Sequence, residues 1–149
     1  MNDLYHFEDF TIGRRFAFGA YTVTKDEIFE FARAFDPQPH HLDEEAANAS
    51  MLKGLSASGW HVCAMTMRMF AEGIILKTAN RGGVGCDEAR WIKPVRPGDV
   101  LRLEVVVRAA KESPRHPGVG FVTFDCNVFN QREQVAMVSM TPIILKRGA

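Results

Sequence analysis

One change of period divides this chain. From Val62 the apolar residues recur at helical spacing, through Met65 and Met69 to Ile74 beside Gly73. After Asn80-Arg81-Gly82-Gly83 the pattern turns strand-like, and four runs follow at 84–92, 100–110, 119–130 and 135–145. Turn-forming residues separate these runs at 94–98, 113–118 and 131–133. An earlier run at 15–23 carries aromatic and β-branched residues and predicts a first strand. One strand, helices, then four strands in a meander specify an α+β chain, with helices segregated from an antiparallel sheet.

The region between the first strand and the long helix is equally legible. Thr24-Lys25-Asp26-Glu27 matches a capping box, with Thr24 as N-cap and Glu27 at the third helical position. Ile28, Phe31, Ala32 and Phe35 continue at helical spacing, and the helix is predicted to stop at Asp36 because Pro37 and Pro39 follow. A second short helix is expected after Asp43, whose side chain can cap the Glu44-Glu45-Ala46-Ala47 turn. In the long helix Met65, Met67 and Met69 read as filler for a core or pocket wall.

Bulk properties narrow the function classes. The 149 residues suffice for a single domain, 1–149, and no linker, repeat or low-complexity tract divides them. Eighteen Lys and Arg balance eighteen Asp and Glu, which argues against nucleic acid as a partner, since phosphate binding needs a basic surface. Cys63, Cys86 and Cys126 form no Cys-x-x-Cys pair and read as small buried residues of a reducing compartment. Residues 1–6 lack the basic and apolar regions of a signal peptide, and Arg68 and Glu72 interrupt the apolar stretch 62–76. A cytoplasmic protein without a membrane span is the expectation.

The chemistry concentrates in Phe35-Asp36-Pro37-Gln38-Pro39-His40-His41-Leu42-Asp43. Two prolines predict a kinked, extended loop, able to turn Asp36 and His41 toward one water in a general acid/base arrangement. The same residues also suit an ordinary turn followed by a surface histidine. A metal site at His40, His41 and Asp43 is not expected, because neighbours on an extended chain point in opposite directions.

The spacing of Asp36, Gln38, Pro39, His41 and Asp43 resembles the hydratase motif of the MaoC-like dehydratases and (R)-specific enoyl-CoA hydratases. Phe7-Glu8-Asp9-Phe10 with Gly13, Ser58-Gly59, and the stretch Asp87 to Asp99 with its Pro94-Val95-Arg96-Pro97-Gly98-Asp99 end also resemble that family, in order along the chain. The last stretch reads as a strand and a hairpin-like turn into the next. The resemblance implies a hotdog fold, a curled antiparallel sheet wrapped round a long central helix. It further implies reversible conversion of a 2-enoyl-CoA to a 3-hydroxyacyl-CoA, with the coenzyme A thioester as substrate, no other cofactor, and a homodimer or dimer-based assembly.

By the same resemblance Asp36 and His41 activate the water, and the Gly59 N–H, at the start of the long helix, receives charge on the thioester oxygen. Read without the family, Gly59 suits equally a turn or close helix–sheet packing. Gln38 stands where these hydratases carry Asn, and Ser58 where they carry His. Gln38, Ser58, Trp60 and His61 are expected near the substrate, and Thr66 is the candidate to replace a supporting serine farther along the helix. Two rival readings are a hotdog thioesterase using Glu72 as base or nucleophile, and a non-catalytic acyl-binding subunit.

Overall fold

The computed structural model describes residues 3–149. Met1 and Asn2, on which part of the leader reading falls, lie outside the described residues. Five strands and four helices follow the expected order: β1 (Arg15–Thr22), α1 (Lys25–Phe35), α2 (Pro39–Leu42), α3 (Glu44–Ala49), α4 (Gly59–Gly73), β2 (Asn80–Trp91), β3 (Val100–Glu112), β4 (Val119–Phe129) and β5 (Gln134–Leu145). Single 3-10 turns at Phe7–Asp9 and Ile75–Lys77 complete it.

The strands form one antiparallel sheet in the order β1-β3-β4-β5-β2. It curls round α4, the hotdog arrangement. Strand β3 alternates strictly, burying Leu101, Leu103, Val105 and Val107 on the inner face. Val122, Phe124, Cys126 and Val128 of β4 and Ile144 of β5 join them against Val62, Met65, Met69 and Phe70 of α4. Phe124 is gripped edge-on by Phe10 and Phe70, each at a centroid distance of 5.1 Å.

The four-strand meander is corrected by this topology. Only β3, β4 and β5 are joined as consecutive neighbours; β2 pairs with β5 and lies at the far edge from β1. The segment 92–99 therefore makes no hairpin. It connects the β2 edge to β3 across the sheet order, and hydrogen bonds fasten it along the way. Ile92 and Lys93 donate to Val135 O, Val95 O accepts from Ala57 N at 2.9 Å, and Gly98 N donates to Val23 O at 2.7 Å. Gly98 lies at φ +88°, a left-handed conformation that favours glycine.

Two further expectations change. Pro39 does not prevent helix but opens a turn of it, since its fixed φ suits a first helical position and its missing N–H is not needed there. His40 and His41 thus sit on a helical turn, with ring centroids 4.2 Å apart, and not on extended chain. Of the cysteines only Cys126 is buried; Cys63 is half-buried and Cys86 exposed. Met65 and Met69 are core as expected, whereas Met67 is 40% exposed.

The capping expectations hold in part. Thr24 Oγ1 accepts from Glu27 N and Asp43 Oδ1 from Ala46 N at 2.9 Å. The Glu27 carboxylate does not return to Thr24; it takes the Tyr21 hydroxyl instead. No helix among the described residues is long and apolar enough to cross a membrane.

Candidate active site

The C-terminus of α1, the α2 turn and the N-terminus of α4 meet at one hollow of about 430 Å³. Asp36, Gln38, His40, His41, Gly59 and Trp60 line it on one side, and Trp91 to Val95 on the other. Asp36 is the residue at which α1 stops, its N–H still bonded to Ala32 O at 2.9 Å. His41 follows one helical turn later and is buried.

Their side chains face each other, with His41 Nε2 3.5 Å from Asp36 Oδ2. His41 Nδ1 lies 2.8 Å from the carbonyl of Ser56. A carbonyl only accepts, so Nδ1 carries a proton; in the neutral tautomer that this selects, the Nε2 lone pair faces Asp36. Asp36 in turn accepts from Gln38 Nε2 through Oδ1 and from Ser58 Oγ through Oδ2, both at 2.6 Å. In that tautomer two acceptors confront each other at 3.5 Å, an arrangement suited to a donor held between them.

Burial alone would raise the Asp36 carboxyl, but the Ser58 and Gln38 hydrogen bonds, with the nearby His41 and His40 rings, outweigh it and hold the group below the usual carboxylate range. The ionised form is therefore favoured in the folded state. Stability linked to it is present above the ordinary carboxylate value and is lost as pH falls through the lowered folded value. Replacing Ser58 by Ala removes one donor and leaves the burial. Its expected outcome is an Asp36 midpoint shifted upward, read from the carboxyl carbon resonance in an NMR titration, with about 1 kcal/mol of stability lost with the α4 cap. An unmoved midpoint would mean that Ser58 does not hold this carboxylate.

Ser58 is accordingly placed behind Asp36, as its donor and as N-cap of α4, where its Oγ also accepts from Trp60 N. Trp60 stands at the mouth, 62% exposed, and packs edge-on against Trp91 at 5.3 Å. Gly59 lines the hollow as the first residue of α4, and among the described residues its N–H makes no hydrogen bond. A Cβ at Gly59 would fall inside the Trp91 indole. The close-packing reading of this glycine is thus met, and the N–H remains available beside it.

Two expected residues lie elsewhere. Thr66 is fully buried and its hydroxyl donates to Val62 O, one turn back, so it does not reach Asp36. His61 points to the opposite side of α4, where its ring stacks on Phe31 at 4.7 Å and its Nε2 faces Glu27 at 3.4 Å. Burial lowers the His61 imidazole below its usual range, against the opposing pull of Glu27. Burial, then Glu27, pushes the neighbouring Tyr21 hydroxyl up to about 12. This network ties α4 to α1 and so fixes Ser58 and Gly59 relative to Asp36. Glu72, the carboxylate of the thioesterase reading, is exposed and paired with Arg68, about 20 Å along the helix from Gly59.

The residues that sequence reasoning missed act through the backbone or from a distant strand. Ser56 contributes a carbonyl, for which no side-chain pattern exists. Trp91 lies in the stretch Asp87 to Asp99, but nothing in its local spacing sets it against Gly59.

Comparison with known proteins identifies the family. The MaoC like domain model matches residues 8–123. The chain belongs to the MaoC-like family. A MaoC-like dehydratase from Rhodospirillum rubrum, solved as a crystal structure, is 39% identical with a TM-score of 0.89, over 97% of this chain and 99% of that one. A structure described as a monoamine oxidase regulatory protein, from Archaeoglobus, is 26% identical with a TM-score of 0.87, over 97% and 96%. The Bacillus subtilis (strain 168) protein YdeM, described as uncharacterized, is 31% identical over 94% of this chain and 98% of its own. As a MaoC-like protein the chain falls among hydratases and dehydratases.

Proposed function

We propose that this MaoC-like protein reversibly hydrates a 2-enoyl thioester, with one water activated between Asp36 and His41. The carrying observation is the confrontation of His41 Nε2 and Asp36 Oδ2 across 3.5 Å, each held in place from behind by its own hydrogen bond. A water donating to both would turn its oxygen toward the β-carbon of an enoyl group in the hollow. As the new C–O bond forms, the pair takes the water's proton and the alkene's electron pair moves onto the thioester oxygen. The Gly59 N–H, at the positive end of α4, stabilises that oxygen. The same proton then passes to the α-carbon, and dehydration is the reverse. The water therefore supplies both its parts, which places hydroxyl and proton on one face.

Glu72, the carboxylate named for the thioesterase reading, pairs with Arg68 away from this site. Incubation with crotonyl-CoA tests the reading: enoyl absorbance is expected to fall without release of free thiol. Thiol release would favour hydrolysis instead. No change across a panel of short, long and branched enoyl-CoA substrates would leave only acyl binding.

Assembly follows from the sheet. Among the described residues the outer edge of β2 has no strand partner, and Val84, Trp91 and Ile92 are exposed beside it. A homodimer, or an assembly built from dimers, is the expected state by light scattering at micromolar concentration. A stable and fully active monomer would contradict it.

A further inference from the structure

The loop between α3 and α4 supplies both groups that orient the proposed catalytic pair. Ser56 O receives the Nδ1–H of His41, and Ser58 Oγ donates to Asp36. Neither residue belongs to a helix or strand, so their direction depends on what fastens the loop.

One side chain from a distant segment does this. The Arg96 guanidinium donates through Nη1 to Gly54 O at 2.7 Å and Leu55 O at 3.3 Å, and through Nη2 to Leu52 O. Gly54, at φ +150°, brings its backbone against the guanidinium; a Cβ there would stand 3.0 Å from Nη1. Among the described residues no carboxylate pairs with Arg96, so its donors are given to backbone carbonyls.

The consequence falls on Ser56. Its carbonyl shares a peptide plane with the Ala57 N–H, which donates to Val95 O at 2.9 Å. The preceding plane carries Leu55 O, held by Arg96. Ser56 is therefore pinned on both sides by consecutive residues of one strap, Val95 and Arg96. The strap itself is closed by the buried Asp99, whose Oδ2 accepts from Arg96 N at 2.9 Å.

We infer that Arg96 is a positioning residue for the Asp36/His41 pair: by holding the carbonyls of residues 52, 54 and 55 it aims the Ser56 carbonyl that sets the His41 tautomer. The inference rests on the hydration reading for its rate consequence, but not for its structural one. Lysine cannot replace the fork, because a compact ammonium does not span three carbonyls.

The test combines Arg96→Ala and Arg96→Lys with nitrogen NMR of histidine-labelled protein, His41 being assigned from His41→Gln. Wild type is expected to show His41 protonated at Nδ1. Arg96→Ala is expected to populate the Nε2–H form and to lose about 10–10² in kcat with little change in KM, as a misplaced reacting group does. Arg96→Lys should fall between, and added guanidinium ion should recover part of the loss in Arg96→Ala. Val122→Ala, a core truncation in β4, serves as the destabilised control and should leave tautomer and rate as they are. If Arg96→Ala does not fold, the lysine variant carries the same readouts. Folded Arg96 variants with the wild-type tautomer and wild-type kcat would overturn the inference. A shifted tautomer in a protein that hydrates no enoyl thioester would uphold the positioning role and remove the hydration reading.

Discussion

Asp36→Asn and His41→Ala are each expected to lower hydration of a good enoyl thioester by about 10²–10⁴, the usual contribution of a general acid or base. Asp36 receives one donor on each oxygen, from Gln38 and Ser58. Asparagine has a single acceptor oxygen, so one of these donors would meet an NH2 group and the carboxylate's basicity would be gone. His41→Ala leaves the Ser56 carbonyl facing a space that water can fill, and α2 retains its Pro39 start. Both variants are therefore expected to fold, which circular dichroism and melting would check. Because the two groups act on one water, the double variant should be scarcely slower than either single one. Multiplicative losses would mean that they serve separate steps.

Gly59 carries the second large effect, and Trp91 dictates how it must be measured. Gly59→Pro removes the N–H but also adds a Cβ where the indole lies, and Gly59→Ala adds the same Cβ while keeping the N–H. Trimming the indole first, as Trp91→Ala, frees the space. In that background Gly59→Ala should keep most of the remaining rate. Gly59→Pro should lose a further 10²–10³ or so, the typical cost of one oxyanion donor. Proline suits the first position of α4, so the helix is expected to persist. Equal rates for the alanine and proline forms would place the thioester oxygen against some other donor.

Much of this was legible because it is local. The Thr24 and Asp43 caps, the stop of α1 at Asp36 and the period of α4 each depend on a few neighbouring residues. So does the pairing of Asp36 with His41, since only four residues lie between them. What local pattern does not encode is which strand pairs with which. The run 84–92 reads alike whether it neighbours β3 or β5, and the Pro97-Gly98 turn suggested the former. Placing β2 beside β5 turns the 92–99 segment into the strap that fastens residues 52–57. His61 and Thr66 were misplaced for a related reason. Helical spacing gives the angle between side chains, and the packing of α4 against α1 and the sheet decides which angle faces the hollow.

Solvent-isotope stereochemistry tests the single-water claim most directly. The wild-type protein would hydrate crotonyl-CoA in deuterium oxide, and NMR would assign the configuration at both new centres of the product. With Asp36 and His41 acting on one water, deuterium at the α-carbon and hydroxyl at the β-carbon are expected on the same face. Their arrival on opposite faces would require a second proton donor across the hollow, and would contradict the account.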